Sequence, residues 1–334
     1  MSHDVARGSR PMNGPEPGRV TTPPPQETPR SRVRVLYLAG WQRNGSTIVS
    51  NILGEQPSYF HAGELYYLWD YVWHDNTLCG CGHRFHECPL WARIVHTGFP
   101  SGIDAAWMRD QAVRASKTSR MLDLGLGAIR DRRVERLRVF RRMLSQLYRA
   151  VARETGASVI VDSSKWPSYG LLLGTCDAVD VSVLHLVRDP RAVAHSWLRK
   201  KKLEDRPDQT LEMYRSPMSS TSRWLTWNLA SELYWRGPGS NYVRLRYEDV
   251  MTAPEEQLTH ALRQLRLPVE VLPFLTSHQV RLGANHTISG NPDRLRHGTT
   301  TIRADDEWRH RLSRRDRITA HAAALPLMYR YGYR

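Results

Sequence analysis

The sequence lacks the features of a secreted, disulfide-held or membrane-embedded chain. Only four cysteines occur in 334 residues, three of them between positions 79 and 88, so no secretory disulfide framework is encoded and a disulfide-stapled miniprotein is excluded. No run approaches roughly 18 apolar residues, which excludes a membrane-spanning helix. The opening MSHDVARGSRPMNGPEPGRV has no apolar core of the kind a signal peptide needs. A soluble, cytoplasmic protein is therefore expected. There is no repeat of fixed period, and no zinc-finger or RNA-recognition signature.

What the chain does have is basic charge and aromatic surface. Lys and Arg number 48 against 33 Asp and Glu, a net charge of +15, and 11 Trp and 14 Tyr are spread among them. That much aromatic area must be buried, so most of the chain folds. The charge predicts an anionic partner. The basic residues are scattered rather than gathered into a tail, which argues against a specific nucleic-acid partner.

Residues 1–31 are rich in Pro, Gly, Thr and Ser and read as a disordered leader. Residues 32–334 read as one domain with helical insertions near 65–155 and 200–238. The β-branched runs at 33–39, 157–163, 181–187 and 242–247 predict buried strands. Between them, Val134, Leu137, Phe140, Leu144, Leu147, Tyr148 and Val151 recur at helical spacing, with Gly156 as a stop. Further helices are predicted at 190–202, 219–235, 254–266 and 313–329. Strands alternating with helices predict an α/β fold: three layers, P-loop-like, with a mostly parallel sheet and helices on both faces.

Two motifs at predicted strand ends carry the chemistry. Gly40-Trp41-Gln42-Arg43-Asn44-Gly45-Ser46-Thr47 joins the first strand to an apolar helix, so backbone N–H groups and a helix N-terminus converge on an anion. The spacing is that of a P-loop, except that Ser46 replaces the lysine that reaches the β and γ phosphates. Arg43 supplies a cation of the loop's own. After the 181–187 strand, Arg188-Asp189-Pro190 opens a helix that carries Ser196, so a guanidinium and a hydroxyl can face one oxyanion, with Asp189 as the cap. Two anion motifs on one sheet rim imply a ligand with two anionic groups.

These motifs resemble those of the PAPS-dependent sulfotransferases, which use 3′-phosphoadenosine 5′-phosphosulfate. Gly40–Thr47 looks like their 5′-phosphosulfate loop and LVRDPRAVAHSW (186–197) like their 3′-phosphate motif. RYEDVMTAPEEQL (246–258), DSSK (162–165), HTISGNPDRLRHG (286–298) and the closing RYGY are similar to further runs of bacterial members. The resemblance spans about residues 33–334 in order. It implies transfer of a sulfuryl group from PAPS to a hydroxyl or amine of a small-molecule, carbohydrate or glycolipid acceptor, releasing 3′,5′-ADP. It also implies roles. Arg43, with Asn44, Gly45, Ser46 and Thr47, would hold the 5′-phosphosulfate. Arg188 and Ser196 would bind the 3′-phosphate, Lys165 would lie near the transferring group, and Glu64 would be the general base. His61 and His195 are runner-up bases. A late basic loop, with Arg294, Arg296, His297 and Gly298, would close over the nucleotide, although RLRHG departs from the family's RKG pattern.

The aromatics after Glu64 read either as an acceptor wall or as a core face. Cys79, Cys81 and Cys88, with His83 or His86, have ligand types for zinc but not a standard spacing, and sulfuryl transfer requires no metal. The rival readings are a nucleotide-dependent kinase, disfavoured by Ser46, and a non-catalytic polyanion binder.

Overall fold

A computed structural model of the chain describes residues 32–116, 132–199, 214–237 and 239–334, with the side chains of 132–135 left aside. The expected leader and residues 200–213 of the second expected insertion lie outside the described residues. Five parallel strands form the main sheet: β1 (Val33–Ala39), β2 (Tyr59–Gly63), β3 (Val159–Lys165), β4 (Val179–Val187) and β5 (Tyr242–Arg246), in the order β2-β3-β1-β4-β5.

The alternation along β1 builds the layers. Val35, Tyr37 and Ala39 point into one core, and Leu36 and Leu38 into the other. Because both faces are covered there, Val35–Ala39 reads as an unbroken apolar run. The first core is closed by α2 (Pro89–Gly98), α3 (Ala105–Ala115), α4 (Arg132–Thr155) and α5 (Pro167–Gly174). The second is closed by α1 (Ser46–Gly54), α8 (Tyr247–Thr252) and α9 (Pro254–Gln264). At the edge of the sheet, α6 (Pro190–Leu198), α7 (Pro217–Trp235) and α11 (Arg314–Arg330) pack around Trp197, Trp224 and Trp227, and the single turn α10 (Trp308–Arg311) packs its Trp308 against Ala192 of α6. Among the described residues, no helix is long and apolar enough to cross a membrane.

Several elements differ from the sequence reading. The β2 strand was not anticipated, since YFHAG is only five residues long and contains a polar His and a Gly. Nor was the antiparallel sheet of β6 (Phe274–Thr276), β7 (Gln279–Leu282) and β8 (Gly298–Thr301), whose strands are short and largely exposed. The third strand starts and ends two residues later than predicted, so Lys165 is its last residue rather than a residue beyond it. Helix α6 stops at Leu198, because Arg199 is already extended. Asp189 does cap α6, accepting a hydrogen bond from the Arg191 N–H.

The end of β2 shows how the fold fixes the rim. Gly63 has φ 91°, and a Cβ there would lie 2.0 Å from the Ile288 carbonyl oxygen. On either side, Ile288 N donates to Ala62 O at 3.1 Å and Glu64 N donates to Ile288 O at 3.0 Å. A side chain at position 63 must prise the two segments apart. Gly63→Ala should therefore destabilise the protein by roughly 2 kcal/mol or more. Urea unfolding reads this directly, and an unchanged midpoint would contradict the close approach.

Candidate functional site

The chain order of the sheet reverses beside β1, and a crevice opens outside the carboxyl ends of the strands at such a point. A cavity of about 540 Å³ lies there, lined by the Gln42–Ile48 loop without Asn44, the ends of β2, β3 and β4, and residues 290–305. Arg43, Lys165, Arg188, Arg199, Arg296 and Arg303 face it against the carboxylates of Glu64, Asp293 and Asp305. The balance suits an anionic ligand.

The β1–α1 turn is held by backbone conformation. Arg43 and Gly45 both have positive φ, 67° and 89°, and Gly45 precedes α1 without a side-chain cap. A Cβ on Gly45 would lie 2.4 Å from the Tyr247 ring, so only glycine permits this packing. Arg43 stacks over Trp197 at 5.1 Å. Burial, and then the neighbouring Arg199 charge, hold its pKa below the usual arginine value, so a bound anion would relieve a desolvated cation. Asn44 does not face the cavity. Its amide donates to Leu186 O at 2.8 Å and its carbonyl accepts from Ser46 N, bracing the loop against β4.

Arg188, Ser196 and Arg199 form a second cationic corner. Arg188 lies 4.4 Å over the Tyr247 ring and donates to Asp305 O at 2.8 Å. The Asp305 carboxylate sits 3.2 Å from Arg188 and 2.6 Å from Arg199. Burial opposes its ionisation, but the two arginines outweigh that and hold its pKa below the usual value. The RYED run serves both halves of this corner: Tyr247 lines the cavity, and Glu248 accepts from Asp189 N at the start of α6.

Between the two corners, Lys165 Nζ donates to Glu64 Oε1 at 2.5 Å and to Ser163 O at 2.5 Å. Both residues line the cavity and are nearly buried. Their support comes from Asp162, which accepts from Ser164 N and Oγ and from Tyr148 OH. Ser164 Oγ in turn accepts from Tyr66 N at 3.0 Å, tying the turn after Glu64 to β3. Lys165 adopts φ 68°, an uncommon conformation for a residue with a side chain.

The structure separates the remaining candidates. His61 and His195 do not line the cavity. Burial, then the charges of Lys165 and Arg294, push His61 down to about 3, so it is neutral at physiological pH. In the late basic loop only Arg296 reaches the cavity. Arg294 is buried, donating to Leu78 O and Thr287 O. His297 contacts Gly283 O on the exposed side, and Gly298 begins β8. The reason is local: RLRHG is not an open loop but a 3₁₀ turn running into a strand. The lining from this region instead includes Thr300–Arg303 and Asp305, which carried no sequence signal. The aromatic run divides between the cavity and the core. Tyr67 and Tyr71 face the cavity, whereas Tyr66, Leu68 and Trp69 are core.

A family model described as "Sulfotransferase family" matches residues 36–271. Among solved structures, the sulfotransferase domain from the curacin biosynthetic pathway is 16% identical, covers 91% of this chain and 98% of its own, and has a TM-score of 0.51. The sulfotransferase domain of the Synechococcus PCC 7002 olefin synthase is 20% identical, with 88% and 96% covered and a TM-score of 0.49. No curated protein matches the chain. At these identities the first likeness is one of fold alone.

Burial raises the Asp162 pKa from 3.8 to about 6 against the pull of its hydrogen bonds. Folding thus favours the protonated form, and its contribution is complete below about pH 4 and lost as the pH rises through about 6. Asp162→Asn carries no such charge. Its stability relative to the native chain should rise across that window by at most about 3 kcal/mol. Urea midpoints that run parallel with pH would refute this.

Proposed function

The chain belongs to the sulfotransferase family, and we propose that it moves a sulfuryl group from PAPS to a hydroxyl or amine of a small-molecule, carbohydrate or glycolipid acceptor. The observation that carries this reading is one cavity holding a buried carboxylate–ammonium pair between two cationic corners. When bound, PAPS supplies the sulfuryl group on a phosphate leaving group. The donor set fits it: backbone N–H groups of Gly45 and Thr47 with Arg43 at one corner, and Arg188 with Ser196 at the other. A 3′-phosphate at the second corner would distinguish this nucleotide from ADP and ATP.

In this reading Glu64 is the general base, taking the acceptor proton on a carboxylate oxygen. Lys165 and Arg43 neutralise the charge that grows on the leaving oxygen. Tyr67 and Tyr71, with ring centroids 5.1 Å apart beside Glu64, offer an apolar wall for an acceptor ring.

Calorimetric titration separates this reading from a kinase or a polyanion binder. One-to-one binding of 3′,5′-ADP, with 5′-ADP and ATP much weaker, is expected, and preference for ATP or equal binding of all three would sink it. Glu64→Gln should keep 3′,5′-ADP binding and lose turnover by about 10²–10⁴-fold. Unchanged turnover would remove Glu64 from the base role. Arg188→Ala should weaken 3′,5′-ADP by about 10–100-fold while 5′-AMP changes little, and equal losses for both would place the 3′-phosphate elsewhere.

A further inference from the structure

Outside the cavity, three thiols and an imidazole converge. The segment 77–88 folds back on itself: Cys79 N donates to His83 O at 2.8 Å, Gly82 N to Cys79 O at 2.9 Å and Phe85 N to Thr77 O at 2.9 Å. This turn brings Cys79 and Cys81 beside Cys88, which immediately precedes α2. The fourth group is His286, 198 residues beyond Cys88. Its segment is fixed by Trp91 Nε1 donating to His286 O at 2.7 Å and by Gly80 N donating to Thr287 O at 2.9 Å.

We propose that Cys79, Cys81, Cys88 and His286 form a structural zinc site. The four ligand atoms all lie within 4.8 Å of one another. Cys88 Sγ and Cys79 Sγ stand 3.3 Å and 3.9 Å from His286 Nδ1, and Cys81 Sγ stands 3.6 Å from Cys88 Sγ. Tetrahedral zinc, with bonds of about 2.3 Å to sulfur and about 2.0–2.1 Å to nitrogen, requires edges of roughly 3.8 Å and 3.5 Å. The two sulfur–nitrogen spacings bracket 3.5 Å, and the sulfur–sulfur spacing lies 0.2 Å short of about 3.8 Å. They are far too long for a disulfide, whose sulfurs lie about 2.05 Å apart, and all the cysteines are free. Three soft thiolates and one imidazole select zinc over the oxygen-seeking calcium and magnesium. With all four positions taken by protein, the site is closed and so structural rather than catalytic.

The two histidines named from sequence are not in this set. His86 turns its ring to Trp73 O at 2.8 Å, and His83 sits on the exposed side of Cys81. The metal would join the 79–88 turn to a distant strand-like segment, and that segment leads to the cavity. Two residues after His286, Ile288 pairs with Ala62 and Glu64 on either side of Gly63, and Gly290 and Asn291 line the cavity wall. A metal bond at His286 would thereby hold the wall against Glu64.

The test is elemental analysis of the full-length protein purified under reducing conditions without chelator. About one zinc per chain is expected, retained through gel filtration in a weak chelator. Replacing it with cobalt should give a thiolate-to-cobalt charge-transfer band and the intense d–d bands of tetrahedral coordination. Cys81→Ser and His286→Ala should each abolish the metal or loosen it to the weak chelator, while Cys176→Ser, a cysteine outside the cluster, leaves it bound. A native chain with no zinc and no cobalt spectrum would overturn the proposal, as would iron in zinc's place or a Cys81–Cys88 disulfide. So would full retention of zinc in both ligand variants. These readouts need no sulfotransfer, so they stand or fall independently of the proposed reaction.

Discussion

The site turns on a carboxylate and an ammonium 2.5 Å apart in a nearly buried position. Stripping water from two charges costs several kcal/mol each, and their attraction offsets that only when the geometry is tightly held. The surroundings hold it from both sides. Glu64 is fixed through its backbone by Ile288 and through the next turn by Ser164. Lys165 is fixed at the end of β3 in a left-handed conformation, with a second acceptor in Ser163 O. In the proposed reaction Lys165 holds Oε1 of Glu64, which leaves the second carboxylate oxygen to take the acceptor proton, and an anionic donor beside Lys165 would compete for the same ammonium.

Positive charge is organised by aromatic rings rather than by a continuous stripe. Arg43 lies over Trp197, Arg188 over Tyr247, Arg191 over Trp308, Arg244 over Tyr331 and Arg246 over Tyr333. A planar, weakly hydrated guanidinium stacks at little desolvation cost, where a lysine ammonium would not. The +15 charge of the chain is therefore partly architectural. Of these five stacked arginines, Arg43 and Arg188 also line the cavity.

Legibility in the sequence followed the range of the interactions. The strands β1, β3 and β4 were readable because each carries a short, largely apolar run buried on both faces, and β5 because Val243 and Leu245 alternate with half-exposed residues. The glycine turn after β1 and the Asp189 cap were readable because they are local. By contrast, β2 owes its strand state to hydrogen bonds with β3 and Ile288, not to its own residues. Asp305 enters the second cationic corner from more than a hundred residues beyond Arg188, and nothing in its neighbours marks it. The RLRHG run misled for a related reason. Its arginines alternate between the interior and the cavity, so Arg296 faces the cavity while Arg294 donates to backbone carbonyls.

The same Arg294 shows why the distant segments have to be considered together. Its guanidinium joins Leu78 O, just before the cysteine turn, to Thr287 O, just after His286. A buried guanidinium is stable only with its donors satisfied by well-placed acceptors. The chain thus already commits a charged side chain to keeping residues 78 and 287 together. A closed metal site beside it would reinforce that constraint with stronger bonds, at a place where the sequence separation makes loop closure expensive in entropy. Ile288 carries that constraint to Ala62 and Glu64 on either side of Gly63, so a segment far from Glu64 in sequence helps set the position of its carboxylate.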